Sequence, residues 1–277
     1  MNKIIVPVDF SEYSEFALEM AAMLAKKYDT EILALHMLEM SDAYLTTTDQ
    51  EQMAKAAFYL RLAENKFNSF LNKDFLKGVK IIPVVKHFKV FKEIAQVAAD
   101  HSVDLIVMGS HGTSADSGMF AGSNAEKVVR HSEIPVLVVK SRPTSIDFKD
   151  IIYVSDFADE SIESYRQARK FFRQLQSNVH LLYVNVPNNG FRNSYEIEER
   201  VSSFLDIADG NQDFMSDVNY ISDYTVEKGV FNFANQIDAD LISIPTHGRT
   251  GFSHVFRGSI TEDIANHSVL PVLTFRI

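Results

Sequence analysis

The chain has 277 residues and a mass of 31.3 kDa, enough for one large domain or two of ordinary size. With 46% hydrophobic residues, 11% aromatics, 11 glycines and 7 prolines, it has the composition of a packed globular protein, neither disordered nor fibrous. It has no cysteine, which excludes disulfides, thiolate metal sites and cysteine nucleophiles, and its net charge of -10 argues against nucleic-acid or anionic-membrane surfaces.

In chain order, short β-branched runs alternate with amphipathic stretches. Strands are expected near 3–8, 31–37, 79–85, 103–108 and 134–139, with helices at 14–27, 50–72, 88–100 and 123–131. The first helix places Phe16, Met20, Met23 and Leu24 on one face, a core stripe. Residues 141–148 (SRPTSIDF) read as a linker. The pattern then repeats, with strands near 150–155, 178–184, 218–224, 240–244 and 270–275 and helices at 158–174, 193–207, 230–237 and 259–267. No run of about 18 apolar residues suggests a membrane span, and the opening stretch is broken by Asp9, so a cytoplasmic protein is expected.

The repetition is also literal. Residues 104–140 align without a gap on 240–276, matching Asp104 with Asp240, His111 with His247, Gly122 with Gly258 and Pro135 with Pro271. The openings IIVPVDFS (4–11) and IIYVSDFA (151–158) also correspond, at an offset larger by 11, so the second copy is shorter in its middle. Two copies of one domain, 1–144 and 147–277, follow. Each is expected to be α/β: an open five-stranded parallel sheet with helices on both faces.

Such sheets bind ligands at the carboxyl ends of their strands, which directs attention to the loops after Val8 and Met108. Gly109 at a strand end permits close backbone approach, Gly112 permits a positive φ, and Gly122-Ser123 opens a helix whose unpaired N–H groups attract phosphate. Asp9 lies on the same rim and is placed to accept from an adenine amine or ribose hydroxyls. The residues alone leave open a plainer role for the glycines as turn formers.

The GxxG, nine-residue, GS spacing, the IIVPVDFS opening and the HSxxPVL ending resemble the universal stress protein family, and the resemblance covers both copies. It implies strand order 3-2-1-4-5 and adenine-nucleotide binding. In the ATP-binding branch, residues matching Asp9 and Met37 border the base and ribose, while those matching Gly109, Gly112, Gly122, Ser123 and the backbone of Asn124 hold the phosphates, and Met108 is a further candidate binding residue. ATP is the implied ligand, with ADP or AMP as alternatives and Mg as a companion ion.

The second copy keeps Asp156, Gly248, Gly258 and Ser259 and adds Arg249 and Arg257, but Pro245 replaces Gly109. Proline lacks the N–H and adds a ring, so the first copy is the expected nucleotide site. The resemblance further implies last strands that pair across a two-fold axis, hence an intramolecular pseudo-dimer, with any homodimer built elsewhere.

His111 and His247 lack a second histidine for an HxGH motif, and neither a Walker A sequence nor a GxSxG elbow occurs. The expected function is a nucleotide-dependent interaction or regulatory module with a protein partner of unknown identity. A slow ATPase, a nucleotidyl or phosphoryl transferase, and an interaction module with vestigial sites remain the alternatives.

Overall fold

The computed structural model describes residues 1–38, 49–87, 90–110, 123–187, 190–246, 264, 265 and 267–277. The chain divides into two compact units. The first holds Met1–Val128 and Val138–Ile146, the second Val129–Leu137 and Asp147–Ile277.

The strands β1 (Lys3–Pro7), β2 (Glu31–Leu38), β3 (Ile81–His87) and β4 (Leu105–Gly109) of the first unit, with β5 (Val136–Val139), which the division cuts after Leu137, follow the order β3-β2-β1-β4-β5. Helices α1 (Glu12–Tyr28), α2 (Asp49–Phe70), α3 (Val90–Asp100) and α4 (Ser123–His131) connect them. The second unit repeats the scheme. Its strands β6 (Asp150–Val154), β7 (Asn178–Asn185), β8 (Val218–Ser222), β9 (Leu241–Thr246) and β10 (Val272–Arg276) follow the order β10-β9-β6-β7-β8, the same arrangement in reverse. Its helices are α5 (Ile162–Leu175), α6 (Ser194–Asp209) and α7 (Val226–Gln236). The registered pairs are parallel throughout: Ile5 lies beside Leu33 and Ile106, and Ile152 beside His180 and Ile242.

Parallel strands covered on both faces read as continuous apolar runs. Accordingly Ile4, Ile5 and Val6 in β1 and Ile151, Ile152, Tyr153 and Val154 in β6 are wholly buried. Helix α1 buries Ala17, Leu18, Met20, Ala21 and Leu24, whereas Phe16 and Met23 flank that face and stay half-buried. It is capped by the Ser11 side chain, which accepts from Ser14 N, and ends at Asp29 in the left-handed region.

Two helix starts differ from the sequence pattern. Helix α5 begins at Ile162, after a 3-10 turn over Asp159–Ser161, because Ala158 offers no side-chain cap. Helix α7 begins at Val226, capped by Thr225, with Gly229 inside it. A Cβ on Gly229 would stand 2.6 Å from a Val184 methyl, so this glycine is the close-approach point of α7 on β7. Of the expected helix at 259–267, residues 264, 265 and 267 are helical and the remainder lies outside the described residues.

The repeated aspartates at 104 and 240 have a role that their alignment left unstated. Asp104 Oδ2 accepts from the backbone N–H groups of Asn2 (2.5 Å) and Lys3 (3.1 Å), and Asp240 Oδ2 from those of Lys149 (2.8 Å) and Asp150 (3.0 Å). Each carboxylate thus fixes the entry of a central strand. Asp104→Ala leaves both N–H groups without this acceptor and is expected to cost about 1–2 kcal/mol, read as a lower urea midpoint at unchanged m-value.

Candidate functional site at the carboxyl edge

In each unit the central strand is flanked by connections that run in opposite directions. The resulting switch in strand order lies between β1 and β4 in the first unit and between β6 and β9 in the second, the usual ligand position of an open parallel sheet.

Both central strands end in the same turn. The ladder is prolonged by Val8 N–H donating to Leu35 O (2.7 Å) and, in the second unit, by Ser155 N–H donating to Leu182 O (3.1 Å). The chain then passes through Asp9-Phe10 or Asp156-Phe157, and each phenylalanine has a positive φ, 65° and 52°. A bulky residue in that region is strained and needs support. Two kinds are present. The aspartate accepts from the backbone two residues on, Ser11 N–H to Asp9 Oδ1 (3.0 Å) and Ala158 N–H to Asp156 Oδ1 (3.2 Å). The ring enters an aromatic cluster: Phe10 meets His36, Phe67 and Phe70 at 4.5, 5.3 and 5.4 Å between centroids, and Phe157 meets Tyr183 and Phe204 at 6.4 and 5.3 Å.

Above the turn the units diverge. Asp9 is half-exposed, and its Oδ1 also accepts from Ser11 Oγ (2.5 Å), which links the carboxylate to the cap of α1. Asp156 is buried and ion-paired: Arg200, from α6, donates through Nε to the Asp156 backbone carbonyl and through Nη2 to Oδ2 (3.3 Å). Nothing in the sequence pattern singled out Arg200. The usable signal is its spacing, one turn before the buried Phe204 and so on the same helix face.

His36, in β2, is a half-buried packing residue. Its Nδ1–H donates to Val8 O (2.7 Å), the only role open to a ring nitrogen facing a carbonyl. Burial first, and then the Lys66 ammonium, hold its pKa below the ordinary value, against the opposing pull of the Val8 bond and Asp9. Lys66 also lies over the Phe10 ring, 5.5 Å from its centroid.

Met37 and Met108 are both buried at the ends of β2 and β4. Gly109 ends β4, and a Cβ there would stand 2.7–2.8 Å from the Tyr13 carbonyl and Cβ. The space that Gly109 leaves is therefore filled by the first turn of α1, and this glycine serves helix-on-strand packing. Pro245 stands at the matching place in β9, fully buried, beyond the last registered β6 pair at Tyr153 and Ser243, so its missing N–H falls past that ladder. Ser123 and Asn124 open α4. Gly112, Gly122, Gly248, Arg249, Arg257, Gly258 and Ser259, with His111 and His247, lie outside the described residues. Among the described residues no group of three or more His, Asp or Glu gathers to hold a metal ion, and no helix is long and apolar enough to cross a membrane.

This is a tandem parallel α/β protein with a switch in strand order at the carboxyl ends of the central strands of each unit. A sequence model of the universal stress protein family matches residues 1–140 and 224–276, and the chain belongs to that family. It is 29% identical over 155 residues to a universal stress protein of Methanocaldococcus jannaschii, an overlap of 51% of this chain and 96% of that one. It is 31% identical over 152 residues to the universal stress protein YxiE of Bacillus subtilis, covering 50% of this chain and 99% of the relative. Each relative thus spans about half of the chain. Over full length the fold resembles the crystal structure of a universal stress protein from Archaeoglobus fulgidus (TM-score 0.65, 20% identity, 99% of this chain and 96% of that one).

Two outcomes test these assignments. Gly109→Ala forces its methyl against Tyr13 backbone and is expected to destabilise the protein by about 1–3 kcal/mol with or without nucleotide, measured by thermal unfolding. Because His36 titrates below its unfolded value of about 6.5, the unfolded state takes up the proton first as pH falls. The His36 contribution to stability is therefore complete above that value and declines below it. His36→Phe should flatten this part of a pH–stability profile between pH 7 and 5.

Proposed function

We propose that the first unit binds an adenine nucleotide, ATP ahead of ADP or AMP, at the carboxyl edges of β1 and β4, and that the protein acts as a nucleotide-dependent regulatory module for a protein partner. The observation that carries this reading is Asp9. Its partly buried carboxylate, fixed by the Ser11 N–H and hydroxyl at the carboxyl end of β1 beside the switch in strand order, is placed to accept from an adenine amine or ribose hydroxyls.

Phosphates would be held at the start of α4, where Ser123 and Asn124 supply backbone N–H groups that no helical carbonyl takes. Gly112 and Gly122 would allow the loop to reach the phosphates. Met37 supports the base side from the end of β2. The Gly109 backbone remains part of this site, although its lack of a Cβ is explained by Tyr13. When bound, Mg would neutralise phosphate charge. The residues chiefly bind and orient, so turnover should stay below about 1 s⁻¹, the lower end of ordinary enzyme rates.

A mass spectrum of freshly purified, denatured protein should show retained adenine nucleotide. Gly122→Val should remove most ATP binding in calorimetry, a loss of several kcal/mol, since hydrogen bonds to phosphate contribute about 1.5–3 kcal/mol each and more than one is blocked. Gly258→Val, the matched change in the second unit, should leave binding nearly intact. Equal losses would show two working sites, and the reverse ranking would assign the site to the second unit.

A further inference from the structure

We infer that Arg200 closes the second unit to nucleosides by occupying Asp156, which makes it the residue that sets how many nucleotides the chain takes. This rests on the proposed nucleotide reading of Asp9, and it concerns the other copy of the same rim.

Each oxygen of Asp156 already has a donor from its own unit, and the residue is buried. Oδ1 accepts from Ala158 N–H at 3.2 Å, Oδ2 from Arg200 Nη2 at 3.3 Å, and the backbone carbonyl from Arg200 Nε. One guanidinium therefore spans the residue in a fork, a geometry that holds two acceptors at once. The pair is sheltered: the Asp156 side chain is 6% exposed and that of Arg200 28%. An adenine amine or ribose hydroxyl would have to displace a charged donor, leave the guanidinium to find another acceptor, and offer a neutral donor in its place. That exchange is unfavourable.

The matching place in the first unit shows that the arginine is an addition to the fold. Arg200 precedes Phe204 by one helical turn, and Phe204 packs edge-on against Phe157 at 5.3 Å. In α2, Phe67 packs edge-on against Phe10 at the same distance, and the residue one turn before it is Ala63, buried and far too short to reach a carboxylate. The same helix face thus carries an alanine under one rim and an arginine under the other. The aromatic support of the turn is retained in both, so the strained backbone does not require the ion pair.

The test is equilibrium dialysis and calorimetry with ATP on the full chain, using wild type, Arg200→Met, Gly122→Val and the double variant. Methionine keeps most of the aliphatic length and removes the donors, and Arg200→Gln serves as a second variant if Arg200→Met melts early. Wild type is expected to bind one equivalent. The double variant is expected to bind ATP roughly tenfold or more tightly than Gly122→Val alone, about the value of one hydrogen bond to a charged group. If wild type binds ATP and the double variant binds no better than Gly122→Val, the inference is overturned while the nucleotide reading stands, and Arg200 is a structural tie. Two equivalents on wild type overturn it as well. Binding by Arg200→Met but not by wild type would support the closure by Arg200 and refute the first unit as the site. No binding by any variant would refute both.

Discussion

The geometry of both rims depends on one constraint: a phenylalanine held at positive φ where the central strand leaves the sheet. Such a conformation costs about 1–3 kcal/mol and persists only if its surroundings impose it. Burying the Phe157 ring returns about 1.5–3 kcal/mol, the half-buried Phe10 ring returns less, and edge-on aromatic contacts add about 0.5–1.5 kcal/mol each. The contacts are there in both units, Phe10 with Phe67 and Phe70, and Phe157 with Phe204. Since Phe67 and Phe70 lie on α2 and Phe204 on α6, the helix after the second strand positions the aspartate on the rim. The aspartate completes the turn by accepting from the backbone two residues on.

From that shared turn the two units part through small substitutions that act together. Ser11 caps α1, so the helix starts at once and its Tyr13 backbone lies against β4, where only glycine fits. The second unit has Ala158 at the capping position, a 3-10 turn before α5, and Pro245 at the strand end. Gly109 and Pro245 therefore read as parts of two different helix entries. The glycine difference, taken from sequence as a statement about phosphate, is first a statement about how the chain turns from strand to helix.

Most of the architecture was legible because it was written twice. Strand alternation, helical spacing and a gapless alignment of 104–140 on 240–276 locate nearly every element within a few residues, and the strand order agrees with what the family resemblance implies. The start of α7 was obscured because Gly229 reads as a boundary, while its actual service is to let the helix approach Val184. The Asp104 and Asp240 match was visible without its meaning, since a carboxylate reaching back to the start of another strand leaves no local pattern. Arg200 was hidden for a different reason. It sits among charged residues on an amphipathic helix, and only its register with Phe204 places it on the inner face. Long side chains with charged ends are commonly read as solvent-facing, and here the end finds a carbonyl and a carboxylate.

On the proposed reading, the pairing of each aspartate decides what its rim accepts. Asp9 Oδ1 accepts from the Ser11 N–H and the Ser11 hydroxyl, which fix its position at the end of β1. A carboxylate in that state favours sugar hydroxyls and amino groups and repels phosphate, so on the proposed reading the nucleoside and phosphate ends of one ligand are sorted toward Asp9 and toward the start of α4 respectively. Asp156 shares its charge with a guanidinium in a sheltered place, and removing one partner of such a pair costs more than forming it returned, because the other charge is left behind. Its rim has no carboxylate to offer without that cost. Two copies of one turn, each with aromatic support from the following helix, thus differ in the residue one turn before the supporting phenylalanine, Ala63 in α2 and Arg200 in α6, and only the arginine reaches the carboxylate from that position.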